Sequence, residues 1–458
     1  MIAPGRTFTN WAGDEVCAPR NVRRARDAGE VRDALQAADA EGARLRVLGA
    51  AHSPSDIAMS DEHLLTLDGM DRVLAIDPEA QTVRVQGGTR LATLNAALAA
   101  RGLALPILGS ISDQTVAGAV ATATHGTGLG HGVLSTIVTE LELVAPAGET
   151  LRASADQAPD LLRAARCSLG ALGVVTELTL RVAPAFDLIV DEAPSTLDAV
   201  LAALPERLAI DHYRFWYLPH AETAWEWKAA RAPREPAAAF QHPAESPLRR
   251  LWRERVVGYH GFESLLYLGT LRPEIIPDVN RWFARKMFAT PRRSRERSDR
   301  QFNFDCLFRQ RVNEWAIPIE CTADALRGLR DLIARRGLRV HLPIEVRFAR
   351  GDDAWLSPCH GRDSCYVGVI AYRPFGRPHP GTDEYFAAYE ELMASFGGRP
   401  HWAKRFGPGP RELAALYPRW DDFQRMRARL DPRGMLANAY TDRVLGPVRV
   451  AAAPVGSF

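Results

Sequence analysis

The stretch Arg46-Val-Leu-Gly-Ala-Ala-His-Ser-Pro-Ser55 constrains this chain more than any other, because a short apolar strand runs straight into a turn of small residues that ends on a histidine. Such a turn offers backbone N–H groups to an anion, and Gly49, Ala50 and Ala51 keep side chains out of the way, so the turn through His52 and Ser53 is a candidate cradle for a phosphorylated cofactor. A second segment of the same kind is Gly109-Ser-Ile-Ser-Asp-Gln-Thr-Val-Ala-Gly-Ala-Val-Ala-Thr-Ala-Thr-His-Gly-Thr-Gly128. Here Ser110, Ser112, Thr115, Thr122 and Thr124 offer hydroxyls to a diphosphate, while Gly118, Gly126 and Gly128 let the backbone come close. Two cradles imply one large ligand. A third segment, Cys167-Ser-Leu-Gly-Ala-Leu-Gly-Val-Val-Thr-Glu-Leu-Thr-Leu180, passes from a glycine turn at Gly173 into the β-branched start of a strand at Val174 and Val175.

Between these turns the periodicity predicts a helix over residues 25–40, the strand Leu45–Leu48, short alternating strands at 64–67, 73–76 and 82–85, and a helix over 89–100. This is an α+β pattern that opens β-α-β. After Pro184 the texture changes toward aromatic strands such as 213–217, followed by a polar, Pro-rich stretch at about 230–247 that reads as an exposed insertion. Helices are expected over Thr322–Arg336 and 383–396, and strands over 340–348 and 366–372. A boundary near residue 185 separates the two textures, and no internal repeat is present.

A chain of 458 residues, 47% hydrophobic and 24% charged, has material for two cores, since single cores stop growing near ~250–300 residues. The net charge of +2 gives no reason to expect a nucleic-acid partner. The basic runs Arg249-Arg-Leu-Trp-Arg-Glu-Arg255 and Pro291-Arg-Arg-Ser-Arg-Glu-Arg297 read as solvated surface. Six scattered cysteines with no CxxC pair argue against structural zinc or any other metal site. The first residues lack the charged start and apolar block of a secretory leader, and no stretch offers the ~20 apolar residues of a membrane span, so a soluble, reduced, cytoplasmic protein is expected.

Gly126-Thr-Gly-Leu-Gly-His-Gly132 imitates a GxGxxG nicotinamide fingerprint, but His131 stands where the third glycine belongs and no strand directly precedes it, which disfavours NAD. In Pro343-Ile-Glu-Val-Arg347 the charged residues lie two apart in a predicted strand and therefore share a face. Alone, such a pair is commonly a surface ion pair. Two further segments carry polar chemistry, His401-Trp-Ala-Lys404 and Asp431-Pro-Arg-Gly-Met-Leu-Ala-Asn438.

Taken in order over nearly the whole chain, His52-Ser53, Gly109-Ser110, Thr124-His-Gly-Thr-Gly128, Gly170 to Thr176, the Glu-x-Arg pair, the HWxK sequence and the terminal DPxGxxxN run resemble the vanillyl-alcohol-oxidase flavoproteins, in particular their aldonolactone oxidoreductase branch. The resemblance implies an α+β fold of two domains. A PCMH-type FAD-binding domain takes residues 1–185, with the tail of about 431–458 returning to it, and an α+β cap over the substrate takes residues 186–430. It implies FAD bound by Gly49, Ala50, Ala51, His52, Ser53, Gly109, Ser110, Ser112, Thr115, Gly118, Thr122, Thr124, His125, Gly126, Gly128, Gly173, Val174, Val175 and Lys404, with the flavin 8α-methyl carbon attached to His52. Many relatives have Gly-Gly-Gly-His-Ser where this chain has Gly49-Ala-Ala-His-Ser53, so two extra methyl groups narrow the turn.

Catalysis is implied for Glu345, Arg347 and Lys404: the two cations would face negative charge around flavin N1 and substrate hydroxyls, and Glu345 would hydrogen-bond the hydroxyl being oxidised. His401 either assists or packs beside Trp402. The resemblance further implies that Gly109 leaves room for O2, where plant-type dehydrogenases of the branch carry alanine. The expected activity is hydride transfer from a hydroxyl-bearing carbon of an aldono-1,4-lactone of gulono or arabinono type to flavin N5, with O2 reduced to H2O2. A dehydrogenase using a cytochrome or dye, an alditol oxidase, and a flavin-binding module without turnover are the alternatives. No residue pattern speaks to oligomeric state.

Overall fold

The computed structural model describes residues 7–233, 260–303 and 308–448. Most of the Pro-rich stretch at 230–247, the basic run at 249–255, Cys306 and the last ten residues of the expected tail lie outside the described residues.

After a two-stranded antiparallel pair, Phe8–Thr9 with Val16–Cys17, comes a parallel three-stranded sheet in the order Asn21–Arg24, His63–Thr66, Leu45–Leu48. The expected β-α-β unit is present, with the strand His63–Thr66 inserted between its two arms. Its helix is Ala28–Ala40, capped by the Asp27 side chain accepting from the Glu30 N–H. It starts later than the periodicity predicts because Ala25 still continues the strand, its N–H bonded to Thr66 O at 3.0 Å. Val31, Ala34, Leu35 and Ala38 on one helix face pack with Leu45, Leu65, Val144 and Val174, the i, i+3, i+4, i+7 spacing that a helix on a sheet requires.

A five-stranded antiparallel sheet follows in the order Thr150–Ser154, Val138–Val144, Val174–Arg181, Thr82–Gln86, Val73–Asp77. In Val174–Arg181 burial alternates residue by residue, so one face packs inward and the other meets polar partners. Residues 186–400 contribute an eight-stranded sheet in the order Arg292–Arg297, Phe186–Ser195, Thr223–Pro233, His212–Leu218, Ile344–Ala349, Ser364–Tyr372, Gln310–Pro318, Arg399–Pro400. Helices Thr322–Arg336 and Thr382–Ser395 cover it, with the Tyr389 hydroxyl donating to Val367 O on the strand below.

Two expectations change. The basic run at 292–297 is an edge strand, with Arg295 paired to Asp187 at 3.1 Å and Arg297 to Asp299 at 2.8 Å; charge on an edge keeps it from pairing with another chain. The strand expected over 340–348 is Ile344–Ala349, because the residues before it are held by side chains: Asn280 Nδ2 donates to Val340 O and the Val340 N–H donates to His220 Nε2, and Pro343 has no N–H to give a ladder.

Past residue 430 the chain comes back to the first sheet. Leu45 N–H donates to Met435 O at 2.8 Å, Arg46 Nη1 to Leu436 O at 3.1 Å, and Asn438 Nδ2 to the carbonyls of Asp56, Ile57 and Met59. Among the described residues no helix is long and apolar enough to cross a membrane.

Candidate active site

Where strand Leu45–Leu48 ends, an added Cβ at Gly49 would stand 2.7 Å from Thr115 Oγ1. Thr115 caps helix Val116–Ala121 by accepting from the Gly118 N–H at 3.3 Å. The first turn and the start of that helix thus approach too closely for any residue but glycine. Ala51 adopts a left-handed backbone, φ +55°, at a cost of about 1 kcal/mol for a residue with a Cβ, and its carbonyl is fixed by the Trp11 N–H at 2.9 Å. Arg46, buried beneath the turn, ties three segments together by donating to the carbonyls of Ile57, Leu169 and Leu436. The result is a cleft of about 910 Å³ walled by Gly49 to Ser53, Thr115, Gly118, Thr122, Gly173, Val174 and Val175.

A second cleft of about 1510 Å³ adjoins the first at His52, Ser53 and Gln114. Gly109, Ser110, Thr124 and His125 line it from the loop side, and Glu345, Arg347, His401 and Lys404 from the large sheet and the turn after it. Arg347 spans the two sides: its Nη2 donates to Ser110 Oγ and, at 2.7 Å, to Glu345 Oε1. The same Glu345 oxygen accepts from Trp216 Nε1 at 3.1 Å, with the Arg214 guanidinium 4.0 Å away. Burial works against the Glu345 charge, but Arg347 and then Arg214 outweigh it and hold the carboxyl below its ordinary range. Glu345 therefore stands as an ionised hydrogen-bond acceptor.

Glu314, Trp216, Arg214 and Tyr366 were not legible as site residues. Glu314 lies on strand Gln310–Pro318 opposite Gly368. Its Oε1 is 3.3 Å from His125 Nε2 and its Oε2 3.9 Å from Lys404 Nζ, and its backbone carbonyl accepts from the His401 N–H at 2.9 Å. Burial alone would raise its pKa; the neighbouring His125 ring and the Lys404 ammonium turn the net shift downward. The available signal was a single carboxylate inside the apolar run Val312-Asn-Glu-Trp-Ala-Ile317, since a buried charge needs partners. His401 lines the cleft, its Nδ1 accepting from the Ala403 N–H at 3.1 Å, and burial pushes its pKa down to about 3, so the ring is neutral. Trp402 points the other way, fully buried, donating to Leu356 O and stacked on Tyr417. It anchors the turn that presents His401 and Lys404.

Three expected contacts fall outside both clefts: Ser112, Gly126 and Gly128. Ser112 uses its backbone carbonyl to receive Ala92 N–H. An added Cβ at Gly126 would lie 2.5 Å from Ile107 Cδ1 and Leu108 O, and one at Gly128 2.3 Å from Asp211 O. Gly128 N–H bonds to Phe348 O at 2.9 Å. Gly126 thus lets the loop press against Ile107 and Leu108, and Gly128 lets it press against the large sheet.

The polar atoms left over suit a flavin dinucleotide. His52 Nδ1 and Arg347 Nε are buried with no hydrogen-bond partner among the described residues, and the ring of His52 sits where the two clefts join. A cleft of small residues beside a charged chamber fits a flavin-dependent oxidoreductase, and residues 19–154 match the family model described as an FAD binding domain. Residues 178–444, more than half of the chain, match the model for D-arabinono-1,4-lactone oxidase, and the chain belongs to that family. It is 37% identical to the L-gulonolactone oxidase of Scyliorhinus torazame over 96% of this chain and 98% of that one. It is also 37% identical to the L-gulono-1,4-lactone dehydrogenase of Mycobacterium tuberculosis over 96% and 99%. Among solved structures, the cholesterol oxidase of B. sterolicum superposes with a TM-score of 0.74 at 16% identity over 96% of both chains, a likeness of fold.

Proposed function

We propose that this chain is an FAD-dependent oxidase of a sugar-derived aldono-1,4-lactone, with residues 1–185 and the returning tail holding the dinucleotide and residues 186–430 forming the cap over the substrate. FAD, when bound, supplies the acceptor for the hydride leaving the substrate carbon. The observation that carries the reading is the bridge from Arg347 to both Ser110 and Glu345, which joins the cofactor loop to the cap strand in one continuous cleft.

In this reading Glu345, kept ionised, accepts the hydrogen bond of the hydroxyl being oxidised, so that the O–H bond weakens as the C–H bond transfers its electron pair. Arg347 and Lys404 hold positive charge against the cleft and fix the substrate hydroxyls. His52, with an unpartnered ring nitrogen, is the attachment point for the flavin. Burial lowers its pKa, which keeps that nitrogen's lone pair available.

Oxygen as electron acceptor is supported by Gly109: an added methyl would stand 2.9 Å from Thr124 Cγ2, so any larger residue crowds the cleft directly or by displacing Thr124. A second reading, a dehydrogenase with another acceptor, is favoured by the mycobacterial relative that carries that name. The deciding measurement is anaerobic mixing of the yellow protein with a panel of aldonolactones and alditols, followed by readmission of air. Bleaching by a gulono- or arabinono-lactone and rapid recovery with H2O2 release are expected. Bleaching without recovery in air points to the dehydrogenase, and a flavin that stays oxidised with every lactone overturns the substrate class.

A further inference from the structure

His125 is a buried ring whose two nitrogens both face atoms that accept protons. Nδ1 lies 3.0 Å from Gly126 O, and Nε2 lies 3.3 Å from Glu314 Oε1. A carbonyl oxygen has no proton to give, and neither has an ionised carboxylate, so a ring placed between them carries a proton on each nitrogen. The phenol ring of Tyr366 stacks on it at 3.6 Å between centroids and 10° between planes, a π-face that favours a cation. The neighbouring His401 is arranged differently: its Nδ1 receives the Ala403 N–H, which puts its single proton on Nε2.

We propose that Glu314 is a positioning residue of the reaction cleft, which keeps His125 as a fixed imidazolium and draws Lys404 toward it, so that the wall presents two cations against one carboxylate. The proposal rests on the reading of this cleft as the flavin site. The carboxylate and the imidazolium offset each other, so the wall keeps the single net positive charge of Lys404 unchanged through the histidine range, fixed without any reorganisation where negative charge arrives with the hydride. The groups that face His125 are Glu314 from strand Gln310–Pro318, Tyr366 from strand Ser364–Tyr372, and His401 and Lys404 from the turn after Arg399–Pro400. Ligand atoms of His125, Glu314 and His401 lie within 4.8 Å of one another, but a ring protonated at both nitrogens has no lone pair to offer a metal.

The test is the midpoint potential of the bound flavin against pH in the wild-type holoenzyme, E314Q, E314D and the double variant E314Q/H125N. In E314Q an additional ionisation near the ordinary histidine value of ~6.5 is expected, absent from wild type, from E314D, which keeps the charge, and from the double variant, which lacks the ring. A tenfold change in preference for the reduced form across that ionisation is about 30 mV for a two-electron couple. An E314Q profile that superimposes on wild type, or an added ionisation that persists in the double variant, overturns the proposal. Should E314Q fail to fold, ring ¹⁵N shifts of the wild-type protein at about pH 8, assigned by the signal missing in H125N, decide the matter: a doubly protonated ring sustains the proposal and a neutral one sinks it. Wild-type protein that takes up no flavin, or whose flavin no lactone reduces, breaks the reading of the cleft. Yellow, lactone-reducible protein with an unchanged E314Q profile breaks the Glu314 proposal alone.

Discussion

The two clefts meet at His52, Ser53 and Gln114, yet they are made of different material. The first cleft is walled largely by glycine, alanine, valine and short hydroxyl residues from a few contiguous stretches, so its shape is a property of the backbone. The second cleft is walled by longer side chains from separate elements, with Phe262, Phe283, Phe288 and Tyr372 beside the polar group of Trp216, Glu314, Glu345, Arg347, His401 and Lys404. Strand register does the delivery: Arg214 stands opposite Arg347 and Trp216 opposite Glu345, which places indole, carboxylate and both guanidinium groups on one patch of the large sheet. Substitutions in the first cleft should therefore act through steric fit, and those in the second through charge.

The largest effect belongs to the charged cleft. Arg347→Met removes both hydrogen bonds of the bridge and leaves buried Glu345 with only Trp216 and the more distant Arg214, and turnover with the lactone is expected to fall by about 10²–10³, the scale for losing one fixed donor to a developing charge. Glu345→Gln keeps the shape and loses the charge, with a fall of about 10²-fold. If R347M turns over within a few-fold of wild type, charge is not what organises this cleft. In the backbone-built cleft, Gly49→Ala forces a methyl against Thr115 Oγ1. Overpacking of that kind costs about 1–3 kcal/mol, to be read as a lower unfolding temperature and weaker flavin retention. Adding Thr115→Ala should recover part of the loss. Absence of any recovery would place the strain elsewhere than at this contact.

The same contrast explains what the sequence makes legible. Gly49 to Ser53, Thr115 to Thr122 and Gly173 to Val175 can be read from short stretches because a small-residue turn after a strand is a local device, and these residues do gather on one wall. Glu345 and Arg347 are readable as a pair since alternation along one strand puts them on one face. Glu314 and Trp216 are not, because nothing near them in sequence announces the partner: Trp216 meets Glu345 only through pairing of strands 129 residues apart. Ser112, Gly126 and Gly128 are read from the same local pattern, yet none of them lines either cleft. Glycine beside a ligand and glycine beside another strand look alike in sequence, and only the neighbour across space, Asp211 O for Gly128, tells them apart.

Gly109 sits where the two materials touch, a backbone residue on the wall of the charged cleft. Gly109→Ala should slow reoxidation of the reduced flavin by O2 about tenfold, a loss of ~1.4 kcal/mol in barrier terms, while anaerobic reduction by the lactone changes less. Stopped-flow measurement of the two half-reactions separates these outcomes. Equal slowing of both would mean that the methyl disturbs the substrate instead of the path for oxygen.

The smallest expected effect lies at the seam beside both clefts, where the loop carrying Gly126 and Gly128 continues to His131. The His131 ring stacks on His212 of the large sheet at 4.6 Å, with His212 Nδ1 donating to Thr127 O and its Nε2 accepting from Arg231. Burial pushes His212 down to about 3 and His131 to about 4, so both rings are neutral in the fold while the unfolded chain takes up protons near ~6.5. The unfolded state then binds more protons, and this contribution to stability, fully present above the unfolded value, is lost as pH falls toward the folded values. For His212 alone the loss amounts to about 1 kcal/mol between about pH 7 and pH 5.5. His212→Gln, which keeps a donor and an acceptor but cannot titrate, should unfold with a shallower acid dependence than wild type in that window. Parallel slopes for the two proteins would show that the seam does not respond to protons, and that acid sensitivity, if any, resides in the charged cleft instead.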